Sequence, residues 1–301
     1  MNIICIGQST WDITLPVEGF PEENKKIKIW NKVTECGGGS SNNQAYLLGK
    51  WGLKPYLMSP IGNDMYGRRI ISELERVNVN TRYFKKIDDI PTTTSYIITN
   101  TKKGTRTIIT NKNEKMHYDK EDANKVRVKP DFIVMDGNSY EVCLELIKKN
   151  PDAVTILDAG NLKPGSKALL KHTDYVICSN DFAREYTGID FNYSKHDLIK
   201  VYDKLVKDCK DKLIITLEKE GCFTKIDNEY RIIPSIKSVC IDSNGAGDIF
   251  HGAFVYFLVN GYSYEEILIH SNITGALSVR KIGPKNSIPD LKEVLDVRKS
   301  L

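Results

Sequence analysis

Six short apolar runs most constrain what this chain can fold into, because each of them stops on a small, polar or charged residue. They are Ile3-Ile4-Cys5-Ile6 before Gly7, Tyr56-Leu57-Met58 before Ser59, and Phe132-Ile133-Val134-Met135 before Asp136. Val154 to Leu157 before Asp158, Tyr175 to Cys178 before Ser179, and Leu213 to Leu217 before Glu218 complete the set. Runs this short, without polar alternation, read as strands buried on both faces, as parallel sheets require. Helical-period segments lie between most of them, for example Tyr140 to Lys149 and Asp197 to Lys207. Repeated β-then-α units predict an α/β fold, a doubly wound and mostly parallel sheet with right-handed crossovers. Ligands of such sheets bind beyond the carboxyl ends of the strands, where these runs place Gly, Asp and Ser.

Two stretches break the rhythm. Residues 13–36 and 91–110 are rich in Thr, Ile, Val and Tyr and lack helical periodicity. Thr92 to Thr99, then Gly104, then Thr105 to Thr110 reads as a β-hairpin. A hairpin alone is only marginally stable, so such ribbons need something to cover. They form either an irregular sheet edge or a lid over the strand ends that also pairs with a second subunit.

Composition narrows the function classes. The chain has 301 residues, of which 41% are hydrophobic, enough for a large core. Its 43 basic and 39 acidic residues leave a net charge of +4 spread evenly, which argues against a nucleic-acid or membrane-surface partner. Seven cysteines without a C-x-x-C pair fit reduced thiols, and the five histidines include no H-x-x-x-H pair. No run approaches the ~18 apolar residues of a membrane span, and Met1 to Gly7 reads as a strand, not a signal peptide. The expectation is a cytoplasmic protein.

The chemistry concentrates in Asp242-Ser243-Asn244-Gly245-Ala246-Gly247-Asp248-Ile249-Phe250. Ile249, Phe250, Ala253, Phe254, Phe257 and Leu258 recur at helical spacing, which predicts a buried helix from about Ala246 to a stop at Asn260-Gly261. Ser263 with Glu266 then reads as a capping box for the next helix. Gly-Ala-Gly at a helix start leaves backbone N–H groups uncovered in the positive end of the helix field. On its own such a turn is either a helix cap or an anion site. A carboxylate at Asp248 is out of place for phosphate binding alone, and makes sense facing an alcohol about to attack phosphorus. A second cluster, Gly37-Gly38-Gly39-Ser40-Ser41-Asn42-Asn43-Gln44-Ala45, lets backbone approach a ligand and precedes another helix ending near Gly49 or Gly52. Ser40, Asn43 and Asp12 supply hydrogen bonds suited to a polyol beside that anion cradle.

These residues resemble the ribokinase-like, PfkB-type sugar kinases over essentially the whole chain. The resemblance rests on Gly38-Gly39 through Asn43-Gln44-Ala45, continuing to Gly62-Asn63-Asp64, and on Asp242 through Phe250 as D-[ST]-x-G-A-G-D-x-F. It implies a three-layer α/β core of residues 1–12, 37–90 and 111–301 and a small β-sheet lid from residues 13–36 and 91–110. It implies ATP-dependent phosphorylation of a sugar hydroxyl, with Mg2+, in a homodimer formed through the lid. Asp248 takes the place of the catalytic base, and Gly245, Ala246 and Gly247 that of the anion hole. Arg106 stands near the phosphoryl group. Asp12, Gly38, Gly39, Ser40, Asn43 and Asn138 fall among the substrate-contacting positions, and Thr216, Glu218, Gly221, Asn244 and Asn272 among the nucleotide-contacting ones. Asp242, Gly283 and Ser287 match a loop that binds a monovalent cation, potassium, in some members. On this reading Asp248 is a weak base, because the helix field favours its ionised form.

Departures bear on the substrate. Phe182 stands where the family's N-x-x-E motif has its glutamate, leaving Asn180 or Asp181 to substitute through water. Glu218 replaces the first glycine of T-x-G-x-x-G, and Thr10 and Asn138 replace ribose-contacting side chains. Rival nucleotide motifs fail: Gly160 to Lys167 lacks Lys directly after its second glycine and reads as a surface loop with a proline turn, and Gly7 to Asp12 is no G-x-G-x-x-G. A nucleoside kinase and a non-catalytic sensor of sugar or nucleotide are the alternatives on this fold. Lys25, Lys26, Lys28 and Lys32 either attract an anionic sugar or line a solvated edge strand.

Overall fold

The computed structural model describes residues 1–30 and 32–301. The chain opens with β1 (Ile3–Ile6), β2 (Thr10–Val17), β3 (Thr34–Gly38), α1 (Ser40–Lys50), β4 (Tyr56–Met58), β5 (Pro60–Gly62), α2 (Met65–Glu75) and β6 (Lys85–Ile87). Then come β7 (Thr94–Asn100), β8 (Thr105–Asn111), β9 (Phe132–Met135), α3 (Tyr140–Lys149), β10 (Val154–Ala159), α4 (Pro164–Leu169), β11 (Tyr175–Ser179) and α5 (Asn180–Thr187). The rest is α6 (Lys195–Leu205), β12 (Lys212–Thr216), β13 (Cys222–Ile226), β14 (Glu229–Ile233), α7 (Ala246–Val259), α8 (Tyr264–Ser278) and α9 (Leu291–Lys299).

All six apolar runs become neighbours in one eight-stranded sheet of order β14-β13-β12-β11-β10-β9-β1-β4. From β4 to β12 every pairing is parallel, and β13 and β14 extend the edge as antiparallel strands. Period-2 alternation sends successive side chains to opposite faces, which builds two cores. Ile3, Cys5, Val134, Ile156, Ile177 and Ile214 pack toward α1, α7 and α8 through Leu47, Phe254 and Leu268. Ile4, Ile6, Ile133, Leu157, Val176 and Leu213 pack toward α3, α5 and α6 through Leu146, Phe182 and Leu198. The result is the three-layer α/β architecture that the sequence pattern predicts.

Strand order also locates the crevice. The chain leaves β1 for β4 on one side and returns to β9 on the other, so β1 and β9 flank the topological switch point. Helix α1, reached from β1 by way of β2 and β3, and helix α3, which follows β9, pack on opposite faces and leave the strand ends open between them. Gly7 and Asp136 stand there.

The two irregular stretches pair into a second sheet of order β3-β2-β7-β8. Strands β7 and β8 form the hairpin read from sequence, and β2 joins β7 in parallel with Asp12 beside Ser95. The lysine-rich segment is not an edge strand. Pairing between β2 and β3 ends at Thr14–Thr34, and Lys25, Lys26, Lys28 and Lys32 lie exposed outside any strand, where Gly19 and Pro21 interrupt extension. The segment 160–167 is not a surface loop throughout. Pro164 opens α4, and Gly165 and Ser166 are buried against Gly137. The capping box is half made: the Ser263 hydroxyl accepts from the Glu266 N–H, but the Glu266 carboxylate turns to Arg298 at 2.6 Å.

Candidate active site

Helix α7 begins at Ala246, as the apolar spacing predicts, because Gly245 takes the left-handed conformation at φ 78° that a side chain would resist. A Cβ on Gly245 would also lie 2.6 Å from Pro284. The first i→i−4 bond runs from the Ile249 N–H to the Gly245 carbonyl, so the N–H groups of Gly247 and Asp248 precede the ladder. Gly247 is exposed, and a Cβ there would meet nothing within 4 Å. This turn is therefore both the cap and an open cradle of donors.

Asp248 lies in the first turn, half-buried, and its carboxylate accepts from Asn43 Nδ2 at 2.7 Å. That bond joins the two glycine clusters across 205 residues of sequence. The Asp248 carboxyl is not the weak base that a helix field alone predicts. Burial and the negative charge of Asp158 push its pKa up to about 6, against hydrogen bonds from Asn43 and Ser40 that favour ionisation.

Gly39 caps α1 at φ 93°, and a Cβ there would come 2.5 Å from the Gln8 carbonyl. A Cβ on Gly38 would collide with the Asp12 carboxylate, so this glycine gives Asp12 its place. Asp12 is buried, accepts from the Thr10 hydroxyl at 2.6 Å, and has its pKa raised to about 6, chiefly by burial. Asn43 Oδ1 is buried with no hydrogen-bond partner among the described residues, an acceptor left over beside Asp248.

Beneath α7 lies a polar network that the sequence reading missed. Asp158, at the end of β10, accepts from Gln44 Nε2 at 2.7 Å and faces His251 Nε2 at 3.5 Å. His251 Nδ1 lies 2.6 Å from the Gly247 carbonyl, which ties the network to the turn that carries Asp248. Asp158 was visible only as the polar end of an apolar run, and His251 only as a break in an apolar helix face.

On the other side of the cradle, Arg106 Nη1 donates to the Ser243 hydroxyl at 2.7 Å, and that hydroxyl donates to the Gly104 carbonyl. The β7–β8 hairpin thus rests on the loop that precedes α7. Asn244 Nδ2 is a buried donor without a partner among the described residues, close to the cradle. Asp242 is buried and accepts from the N–H groups of Asn244 and Gly283 at 3.0 and 2.9 Å. Ser287 completes this loop, its N–H bonded to the Gly283 carbonyl.

Of the nucleotide-assigned residues, Thr216, Glu218 and Gly221 gather at the β12–β13 turn, Asn272 reaches the end of β14 from α8, and Asn244 stands apart in the loop before α7. Thr216 ends β12, and Glu218 follows at φ 54°, a left-handed conformation that a glycine would adopt without strain. Gly221, at φ 107°, lies under the Ile233 carbonyl. Asn272 spends its amide on that same carbonyl at 2.9 Å, which fixes the end of β14 as a wall. At the missing glutamate, Phe182 is fully buried and stacked on Tyr186. Asn180 donates to the Tyr193 hydroxyl, and Asp181 is exposed and paired with Arg184. Asn138 lies at the switch point, with its amide divided between the Asp136 carboxylate and Lys112 Nζ. Among the described residues no group of three or more His, Cys, Asp or Glu is placed to hold a metal, and no helix is long and apolar enough to cross a membrane.

Known proteins resemble the chain over nearly its whole length. The chain is 22% identical over 298 residues to a ribokinase of Bacillus subtilis, covering 97% of this chain and 98% of that protein. It is 25% identical over 308 residues to a nucleoside kinase of Methanocaldococcus jannaschii, covering 98% and 96%. The structure of Arabidopsis thaliana ribokinase complexed with ribose and ATP superposes with a TM-score of 0.80 at 22% identity, covering 99% and 98% of the two chains. Residues 1–291 match the family described as pfkB family carbohydrate kinase. With its two glycine clusters joined through Asn43 and Asp248, the chain belongs to the pfkB carbohydrate kinase family.

Proposed function

We propose that the protein transfers the terminal phosphoryl group of ATP to a hydroxyl of a sugar-class acceptor. The observation that carries this reading is the Asn43–Asp248 contact at the mouth of the α7 N-terminus, where a base, a hydroxyl-binding amide and uncovered N–H donors converge. The acceptor hydroxyl, held by Asp12 and Asn43 over the Gly38–Gly39 backbone, donates to the Asp248 carboxylate. Its oxygen forms a bond to the terminal phosphorus as the bridging oxygen of the nucleotide leaves, and the proton passes to Asp248 and then to water. The N–H groups of Gly247 and Asp248, with Arg106 beside them, receive the charge on the transferred group. Such transfer is mostly positioning and charge stabilisation.

With a pKa of about 6, Asp248 is mainly ionised at pH 7 yet basic enough to take a proton in the transition state. Among the described residues there is an open N–H cradle and no cluster of carboxylates to hold a metal, which fits Mg2+ carried by the nucleotide phosphates, where it would supply charge neutralisation. Asp242 uses two of about four lone-pair sites, so the loop with Gly283 and Ser287 retains capacity for potassium. Turnover in potassium against sodium tests that part.

The homodimer contact is proposed on the small sheet, where Tyr96, Ile108 and Ile109 stand exposed. A nucleoside acceptor is the second reading, favoured by the likeness to the archaeal nucleoside kinase. ADP formation across sugars and nucleosides decides between them. Ligands that bind without turnover would replace both readings with a sensor.

A further inference from the structure

The switch-point crevice holds two cations that the mechanism above does not use. Lys112 follows β8, and its ammonium donates to Asn138 Oδ1 at 3.1 Å. Lys163 precedes α4, and its ammonium donates to the Asp136 backbone carbonyl at 3.1 Å. Both therefore close on the same three-residue segment at the end of β9. Neither forms an ion pair among the described residues, unlike Lys85 with Asp119 and Asp122 or Lys285 with Glu73.

The carboxylates nearby are already engaged. Asp136 accepts from the Gln8 N–H at 2.8 Å and from the Asn138 N–H and Nδ2 at 2.9 and 3.0 Å. Asp158 accepts from Gln44 and faces His251. Burial and the charge of Lys163 both lower the pKa of Lys112, with Asp136 opposing them, so the two ammonium groups feel each other. Two like charges, Lys163 half-buried and Lys112 exposed, both faced by amide or carbonyl oxygens, form an arrangement that an anion would complete.

Position decides which anion. Gln8 links the lysine pair to the acceptor side, since its N–H binds Asp136 and its carbonyl packs on Gly39. Thr216, Glu218 and Gly221, three of the five nucleotide-assigned residues, lie at β12 and the turn to β13, separated from β9 by β10 and β11. We propose that the acceptor is an anionic sugar, whose carboxylate, sulfonate or phosphate ester binds between Lys112 and Lys163 while a hydroxyl at its other end faces Asp248. This deepens the kinase reading and rests on it.

The test pairs neutral and anionic acceptors of matched skeleton: D-glucitol with D-gluconate, and D-fructose with D-fructose 6-phosphate. ADP formation and thermal shift are read for the wild type, Lys112→Met, Lys163→Met and the charge-keeping Lys112→Arg. The anionic partner should show at least a tenfold lower KM. Either methionine variant should raise that KM at least tenfold without changing the affinity for ATP, and Lys112→Arg should recover most of the loss. Neutral sugars used as well as their anionic partners, with KM unmoved by the methionine variants, would overturn the proposal and leave the kinase reading standing. If none of the four turns over, the sugar-acceptor reading fails instead. In that case a thermal shift by the anionic sugars that both methionine variants abolish would still uphold the anion site, and no such shift would overturn it.

Discussion

Replacing Asp248 by asparagine separates what this carboxylate does for the reaction from what it costs the fold. Its pKa of about 6 lies roughly two units above the 3.8 of an ordinary aspartate. Two units correspond to about 3 kcal/mol, an upper bound because part of the residue meets water. Below about pH 4 the carboxyl is protonated in folded and unfolded chains alike and contributes no difference. Between about pH 4 and 6 the unfolded chain releases its proton first, so stability falls as pH rises, and above 6 the whole cost is present. The amide oxygen of the replacement can still accept from Asn43, so the fold keeps that contact and loses the buried charge. D248N should therefore resist urea better than the wild type at pH 8, by up to ~3 kcal/mol, with the gap closing toward pH 4. General-base assistance is worth ~10²–10⁴ in rate, about 3–5 kcal/mol of barrier, so kcat should fall by that factor with nucleotide binding retained. Urea midpoints at the two pH values and ADP release at saturating acceptor measure both effects. A variant that keeps a tenth of wild-type turnover, or unfolds more readily than wild type at pH 8, refutes the reasoning.

Other consequences follow from the same geometry. Asp158→Asn removes the charge that raises the Asp248 pKa, so the acid limb of the kcat/KM profile should move to lower pH, and a limb that stays or rises contradicts the coupling. Arg106→Ala breaks the contact with Ser243 and should lower kcat more than nucleotide affinity, with an unchanged rate removing Arg106 from the site. Glu218→Gly relieves a left-handed residue at φ 54° and should raise stability by about 0.5–1 kcal/mol, read as a higher urea midpoint. Gly245→Ala forces a Cβ against Pro284 in the same backbone region and should cost ~1–3 kcal/mol together with most activity, and a fully active, equally stable variant would show that the cradle tolerates a side chain.

What the sequence disclosed was local in origin. The start of α7 at Ala246 follows from Gly245 and the apolar spacing behind it, all within a few residues, and the six strands follow from their own runs. What it concealed was decided by distant partners. The basicity of Asp248 depends on Asp158, which stands 90 positions earlier and reaches it only once β10 and α7 pack together. The Glu266 carboxylate leaves its own helix cap because Arg298 arrives from α9 with a bidentate grip. Gly165 and Ser166 are buried because Gly137, in another loop, leaves room for them. Lys112 and Lys163 show no pattern in the chain, since one trails a hairpin and the other precedes a short helix.

Strand β2 begins a few residues after β1 leaves the main sheet, and β3 ends on Gly38, the residue that seats Asp12. The small sheet is thus not an accessory hung on a finished enzyme, because its roots are the residues proposed to hold the acceptor. Insertions or strand exchanges that reshape this ribbon during evolution would shift Asp12 and the Gly38–Gly39 backbone with it. On the proposed reading, cover and specificity must then diversify together, while the β12–β13 turn, rooted in the main sheet, stays free to be inherited unchanged.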